Sequence, residues 1–473
     1  MTTLAENEAL VTARLADGSE LRGGLSRLSR SVVTFEVYGG NPVLQMSEVL
    51  SDFSVVLDQK TVYLGRAVVR NLVATNLMLT CEVSLGDHWI DAETLAGGAG
   101  IGESKRSFQG FLKSWQGAYR VGTEFKEVVA DLHGFLSAMR LWTEQIELEQ
   151  RRKHPGLDTE TLRETAARLC KETTPALESL FDRLESCSER IDPELHPAHR
   201  SFVRHQLHPL LMCSPFLHRV FHKPLGYAGD YEMVNMLIRS PFEGASLFAF
   251  LVNHWFVQQA PAEAHRNRIR HLIQQLQNVT AMAAREGRTA RILNLGCGPA
   301  GEVQQFIREN HYSDHARFML LDFNEETITD TGNQLRDLIQ RHQRRTIVRL
   351  EKRSVNQIIK EFGKPRKSDF TAGYDLVYCA GLYDYLSDEV SRRVSTVLHD
   401  WTVPGGMFLA TNVDVSNPRT MIMDFVMDWH LIYRNARQML AVRPMGIPEG
   451  EAVVKSDVTG VNIFLEVTKP NRE

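Results

Sequence analysis

From about Leu10 to Ile90, apolar and polar positions alternate in short runs, VTARLADGSELRGGLSRLSRSVVTFEV and then LSDFSVVLDQKTVYLGRAVVRNLVATNLMLTCEV. A period of two is the mark of strands with one buried face. Asp17-Gly18 and Gly39-Gly40 break the runs as turns do, so this stretch predicts a small antiparallel β-barrel. Beyond the glycine-rich break from Gly97 to Gly102 the spacing changes to three and four. SFQGFLKSWQGAYRVGTEFKEVVADLHGFLSAMRLWTEQIELEQRRK reads as one or two long helices. The same period recurs in ETLRETAARLCKETTPALESLFDRLES and from His199 to Val220. From about Arg288, strand-like runs alternate with amphipathic helices, as in an open α/β sheet. The expected division is a barrel over 1–95, a helical region over 104–285 and a Rossmann-like α/β domain over 286–473.

Composition narrows this picture. A chain of 473 residues exceeds one ordinary core, in line with three regions. With 54 basic against 58 acidic residues, no block is basic enough to serve as a nucleic-acid footprint. The six cysteines form no CxxC pair, against a zinc ribbon or disulfide framework. Of the histidines from His196 to His222, only His218 and His222 share the i, i+4 spacing of a helical metal pair, without an acidic partner, so no metal is expected. The opening MTTLAENEAL lacks the basic start and apolar run of a signal peptide. No apolar stretch approaches the roughly 20 residues of a membrane span. A cytoplasmic protein is the expectation, and the N-terminal or helical region could serve a homodimer.

The densest chemical signal is ARILNLGCGPAGEVQQFIREN, a short apolar strand running into a glycine turn and then a helix. Glycines belong there because the turn is tight and a ligand must approach the backbone. Gly296, Gly298 and Gly301 satisfy the spacing of a dinucleotide site as well as that of S-adenosylmethionine, so the turn alone does not choose. The next strand, ARFMLLD, ends on Asp322, a carboxylate placed to accept from a ribose diol, followed by Phe323. IVRLEKRSV ends at Ser354 and Val355, suited to the edge of a purine. YDLVYCAGLYDYLSD, carrying Ala380 and Gly381, leads through a helix to WTVPGGMFLATNV, and VVKSDVTGVNIFLEVTKP supplies two last strands.

This ordered set, over roughly 150 residues, resembles class I S-adenosylmethionine-dependent methyltransferases, whose sheet ends in an antiparallel hairpin. The resemblance implies that Gly296, Cys297, Gly298, Gly301, Glu302, Asp322, Phe323, Ser354, Val355, Ala380 and Gly381 hold the cofactor. Asn294 departs from the acidic residue that many such enzymes carry two positions before the first glycine. Upstream, Lys223-Pro224-Leu225-Gly226-Tyr227-Ala228-Gly229-Asp230-Tyr231-Glu232 reads as a bent loop between helices, either a ligand lid or a plain connection. With Leu207 to Leu237, PAEAHRNRIRHLI, LGCGPAGE and DWHLIYR, it resembles the bacterial extracellular-factor synthases, which make 3-hydroxypalmitic acid methyl ester, a quorum-sensing signal. That resemblance implies that Tyr227, Gly229, Asp230 and Tyr231 close over the cofactor, and that the acceptor is a fatty or hydroxy-fatty acid. The N-terminal region resembles a PilZ barrel, but Arg27-Leu28-Ser29-Arg30-Ser31-Val32 retains only Ser29 of its nucleotide motif. It therefore reads as a packing or dimerisation module.

A carboxylate acceptor is ionised at neutral pH and needs no base, whereas a hydroxyl or amine needs one. Candidate bases are His254, in SLFAFLVNHWFVQQ, and Asp384 with Tyr385, after the fourth strand. His254 reads equally as a packed histidine. Arg266 and Arg268 could fork onto an acidic acceptor or face solvent on their helix. Tyr383, Trp429, Tyr433 and Arg434 are candidate acceptor walls, the last three on one late helix, where Met421, Met423 and Met427 read as core. Three functions stay in view: a methyl-ester-forming enzyme, methylation of oxygen or nitrogen on another metabolite, and a regulatory protein that binds cofactor without turnover.

Overall fold

The computed structural model describes residues 9–15, 18–28, 32–38, 44–57, 60–74, 78–85, 120–153, 158–360 and 373–470. Ser29, Arg30 and Ser31 of the nucleotide-motif remnant and the Gly97–Gly102 break lie outside them. Among the described residues no helix is long and apolar enough to cross a membrane, and no three or more His, Cys, Asp or Glu side chains gather as metal ligands.

Six N-terminal strands close into a barrel: β1 (Leu10–Arg14), β2 (Glu20–Leu28), β3 (Val32–Tyr38), β4 (Val49–Leu57), β5 (Lys60–Ala74) and β6 (Met78–Leu85). Their order is β1-β2-β3-β6-β5-β4, with antiparallel pairs throughout. The period of two is why it closes around a core: Val33, Phe35 and Val37 of β3, and Cys81 and Val83 of β6, all point inward.

Helices follow. The first among the described residues, α1 (Thr123–Lys153), buries Phe125, Val128, Val129, Leu132, Leu136 and Met139, one stripe at three- and four-residue spacing. It packs on α2 (Thr159–Glu189) and α3 (His196–Leu211). Three shorter helices, α4 (Pro215–His222), α5 (Tyr231–Ile238) and α6 (Leu247–Val257), lead to the long α7 (Ala260–Arg285). In α6 every residue except His254 is buried, because the helix is apolar on all sides and runs through the middle of the region.

The C-terminal sheet has seven strands: β7 (Ala290–Leu295), β8 (Ala316–Asp322), β9 (Ile347–Lys352), β10 (Tyr374–Cys379), β11 (Thr402–Val413), β12 (Ala452–Ser456) and β13 (Asn462–Thr468). They lie in the order β12-β13-β11-β10-β7-β8-β9. Pairs from β11 to β9 are parallel, and β13 runs antiparallel to both β11 and β12. Alternate residues feed two separate cores: Leu293 and Val377 join one, Ile292 and Leu376 the other. Both faces are therefore covered, as a parallel sheet requires. Barrel, helical region and Rossmann-like sheet with its C-terminal antiparallel pair are the architecture expected from the sequence.

One expected element is different. The late helix that the apolar spacing suggests stops at Phe425 (Thr420–Phe425), and no helix resumes until Ala436. Asp428 is left-handed at φ 54°, and Trp429 turns its N–H back to the Met423 carbonyl. Ile432 and Arg434 then donate to the carbonyls of Asp384 and Val413, so the segment lies as an extended rib along the end of the sheet.

Candidate active site

One pocket collects the carboxyl ends of β7, β8 and β10, the place where open α/β sheets bind ligands. Its floor is the glycine turn. Gly296 and Gly298 stand at φ 70° and 50°, and Ala300 at 49° precedes the helix Gly301–Glu309. A Cβ on Gly301 would lie 3.1 Å from Ile238 Cδ1, a tight contact that this exposed side chain could relieve by a small shift. The turn is tied to the next strand because Gly298 N–H donates to one oxygen of Asp322 at 3.1 Å and Asn324 N–H to the other at 3.0 Å. Asp322 is buried at the pocket wall; burial raises its pKa and those two N–H bonds oppose the rise. Phe323, Arg353, Ser354 and Val355 continue this side, and the Tyr227 ring packs on Phe323 with centroids 5.1 Å apart.

Opposite Asp322 lies a charged end. Buried Glu302 accepts from the Tyr378 hydroxyl at 2.7 Å and from Asn294 Nδ2 at 3.1 Å, and burial raises its pKa. Asn294 Oδ1, in a residue that also lines the pocket, is buried with no hydrogen-bond partner. Arg268 leans over Gly381, where a Cβ would meet its guanidinium at 3.0 Å. Its one hydrogen bond is to His265 Nδ1, at 2.6 Å, and among the described residues it has no ion pair. Burial lowers its pKa, opposed by Asp384 and Glu302 across the pocket. A half-buried guanidinium on the pocket wall with no ion pair among the described residues favours an anion as its partner.

Beyond it the pocket runs into an apolar arm walled by Phe216, Trp255, Phe256, Ile422, Met423 and Met427. Arg419 closes that arm and is neutralised there by Glu178 and Asp182. Asp384, Tyr385 and Trp429 line the same pocket, with Trp429 Nε1 donating to the Tyr385 hydroxyl at 2.9 Å. Asp384 accepts from Val413 N–H at 2.6 Å, and its carboxyl is pushed up to about 6 by burial, with Arg268 acting against the rise.

The pocket thus gathers Tyr227, Gly229, Tyr231, the four glycine-turn residues, Glu302, Asp322, Phe323, Ser354, Val355, Ala380, Gly381, Arg268, Asp384, Tyr385 and Trp429. Other sequence candidates do not line it. Asp230 turns away: both its oxygens take Arg219 Nε and one caps α5 through Met233 N–H. His254 stacks flat on Phe242, centroids 5.0 Å apart, with burial holding its pKa down. Arg266 is spent on Glu263 and the carbonyls of Leu237 and Val257. The Tyr383 hydroxyl is bonded to Ser395, and Tyr433 reaches the Met423 sulfur. Arg434 is enclosed, fastening the Tyr383 and Leu386 carbonyls to Asn412 and Asp388. Sequence reasoning passed over His265 and the orphaned Asn294 oxygen, while Met423 and Met427, read as core, are core and pocket wall together. Asn294 carried a signal, since it occupies the motif position where an acid is usual.

No protein-family model matches the chain, and no curated protein matches it. Among solved structures it is similar to a possible exported protein of Bordetella parapertussis, 15% identical over 66% of this chain and 97% of the other, with a TM-score of 0.39. It is also similar to an O-methyltransferase family protein of Burkholderia thailandensis, 15% identical over 51% and 69%, TM-score 0.30. A third is the magnesium protoporphyrin IX methyltransferase of Synechocystis PCC 6803 with bound SAH, 9% identical over 45% and 87%, TM-score 0.31. Likenesses at these scores say nothing about chemistry, for which the pocket itself is the guide.

Proposed function

We propose that the chain is an S-adenosylmethionine-dependent methyltransferase that esterifies the carboxylate of an apolar acid, of the fatty or hydroxy-fatty class. The observation that carries this reading is the continuity of one pocket, from the glycine turn and Asp322 at one end to an apolar arm at the other. The residues present fit the cofactor. Asp322 would accept from the ribose diol, and Phe323 and Val355 would flank the purine. The unpartnered Asn294 Oδ1 would accept from the ammonium of the amino-acid end, beside Glu302. Bound there, the cofactor supplies a methyl group on an electrophilic sulfonium.

Everything else is positioning. An acceptor carboxylate is already ionised, so the chain needs only to align it in line and exclude water. The apolar arm would hold the acceptor's tail, while Tyr385 and Trp429 wall the junction where its head would sit. Arg268 has two anions to choose from, the cofactor's amino-acid carboxylate and the acceptor's. Its position over Gly381, in charge range of Glu302 as well as Asp384, fits the first, which we take as the working assignment. Arg268→Met should then weaken S-adenosylhomocysteine binding tenfold or more in calorimetry, the loss of a charge-assisted bond of about 1.5–3 kcal/mol. A variant that binds it normally but has a raised KM for acid would reassign Arg268 to the acceptor.

The test of the reading is methyl transfer to a panel of aliphatic acids, phenols and amines, with products weighed by mass spectrometry. Cofactor-product binding without turnover on any of them would favour a regulatory protein. A second reading, methylation of a hydroxyl or amine with Asp384 as base, is favoured by the position and raised pKa of that carboxyl. The two differ in pH dependence. A base must be deprotonated, so an Asp384-dependent kcat/KM is full above about pH 6 and falls below it, and Asp384→Asn abolishes it. With an acid acceptor kcat/KM should not fall between pH 8 and 6, because neutralising Asp384 only removes a like charge beside the head, and should fall only as the acceptor itself protonates at about 5.

A further inference from the structure

The N-terminal barrel reaches into the pocket. Between β3 and β4 its chain turns through Gln45, Met46, Ser47 and Glu48, and Gln45 and Glu48 line the same cavity as Asp322 and Trp429. We propose that this turn is the missing wall of the acceptor site, and that the Gln45 carboxamide hydrogen-bonds a polar group on the acceptor and so selects it. The proposal rests on the methyltransferase reading above and adds to it a specificity residue contributed by the barrel.

Three observations carry it. The turn is pinned to the elements that bear the catalytic-side aromatics: Met46 N–H donates to the Tyr385 carbonyl at 3.0 Å, and Ser47 is bonded to both backbone groups of His430, next to Trp429. Its far end is held by the loop over the cofactor, since Val49 N–H donates to the Gly226 carbonyl at 2.6 Å. Second, Ser47 sits at φ 59°, a conformation that a residue with a Cβ resists and that surrounding bonds must enforce. The reciprocal bonds to β5, Ser47 N–H to the Val69 carbonyl and Val69 N–H to that of Glu48, supply that enforcement from the barrel side. A turn clamped from both sides is a fixed wall. Third, the Gln45 side chain is half-buried and its amide has no hydrogen-bond partner among the described residues, whereas Arg419 at the end of the arm is already neutralised. A free amide on the lining of a chamber walled mainly by apolar side chains, with Glu48, Asp384 and Arg419 as charged exceptions, can pair with one hydroxyl, amide or carbonyl oxygen on the acceptor. The barrel is on this view a structural part of the active site.

The experiment uses the full chain with Gln45→Met, which keeps the bulk and removes both hydrogen-bonding atoms. Probes are matched pairs: dodecanoate against monohydroxydodecanoates, and dodecylamine against its hydroxylated counterparts. For each pair the ratio of kcat/KM is measured, and the S-adenosylhomocysteine Kd is measured alongside. The expected result is that wild type prefers at least one polar member, that Gln45→Met lowers that preference about fivefold or more, mainly through KM, and that the Kd is unchanged. Gln45→Asn, which returns an amide, should recover part of the preference. A merely structural role for Gln45 would lower all rates together and leave the ratios alone, and that outcome overturns the proposal. If wild type methylates the amines and none of the acids, the acid reading falls while the Gln45 ratio still decides the barrel's role. A chain that methylates neither kind overturns both.

Discussion

Asp322→Asn is expected to weaken S-adenosylhomocysteine binding by roughly ten- to a hundredfold. The carboxylate ends β8 at the pocket wall with each oxygen already accepting one backbone N–H, from Gly298 and Asn324. Each oxygen has a second acceptor direction left, and a ribose diol brings two O–H donors. Hydrogen bonds to a charged acceptor contribute about 1.5–3 kcal/mol, and about 1.4 kcal/mol is a factor of ten. Asparagine keeps the shape but presents an NH₂ where three or four donors converge, so one donor must face another. The unliganded protein loses little by comparison, because one backbone bond can still go to the remaining carbonyl oxygen. Calorimetry should therefore show the affinity loss while the unliganded melting temperature moves by only a few degrees. Unchanged affinity would remove the ribose assignment and with it the cofactor's orientation in the pocket.

The same residue shows why part of this site was legible from the sequence. Asp322 and the glycine turn are read from their place at strand ends, and the end of β8 is marked where its unbroken apolar run, Phe318 to Leu321, gives way to a carboxylate. The barrel was legible from its period of two, and the sheet from short apolar runs alternating with amphipathic helices. The late segment was not: Met421, Ile422, Phe425 and Trp429 keep helical spacing, but the chain leaves the helix near Asp428, whose left-handed backbone no periodicity announces. Polar residues were misplaced for a different reason. Arg434, Arg266 and Asp230 have the chemistry of ligand-binding groups, yet each is consumed by carbonyls, a carboxylate or a guanidinium brought near only by folding. Sequence identifies a side chain that can bind; it does not say whether a neighbour 11, 29 or 51 residues away has already satisfied it. Gln45 is the converse case, an ordinary amide in a barrel turn whose importance depends on where the barrel docks.

Gly229→Val should reduce turnover by well over tenfold, more than about 1.4 kcal/mol of barrier. The cause is steric. A Cβ built on Gly229 would lie 2.4 Å from the Tyr385 hydroxyl oxygen and 3.3 Å from its ring carbon. That oxygen cannot yield cheaply, because it accepts from Trp429 Nε1 and the ring is buried, while the Tyr385 carbonyl is tied to Met46 of the barrel turn. Valine must therefore drive the tyrosine into the pocket or lift the loop that carries Tyr227 and Tyr231 off the cofactor side. Either movement spoils alignment of donor and acceptor, to which in-line transfer is most sensitive. A double-mutant cycle separates this from general damage. Tyr385→Phe removes the clashing oxygen and leaves the nearest atom at the ring-carbon distance, so it should relieve part of the defect of Gly229→Ala. The pair should retain more activity than the product of the two single effects. Asp230→Ala supplies the contrast: it breaks the Arg219 pair and the cap of α5, so its effect should appear in thermal stability at least as strongly as in turnover. If Gly229→Val turns over and binds cofactor product near normally, the loop is a plain connection and the Gly229–Tyr385 contact carries no part of the chemistry.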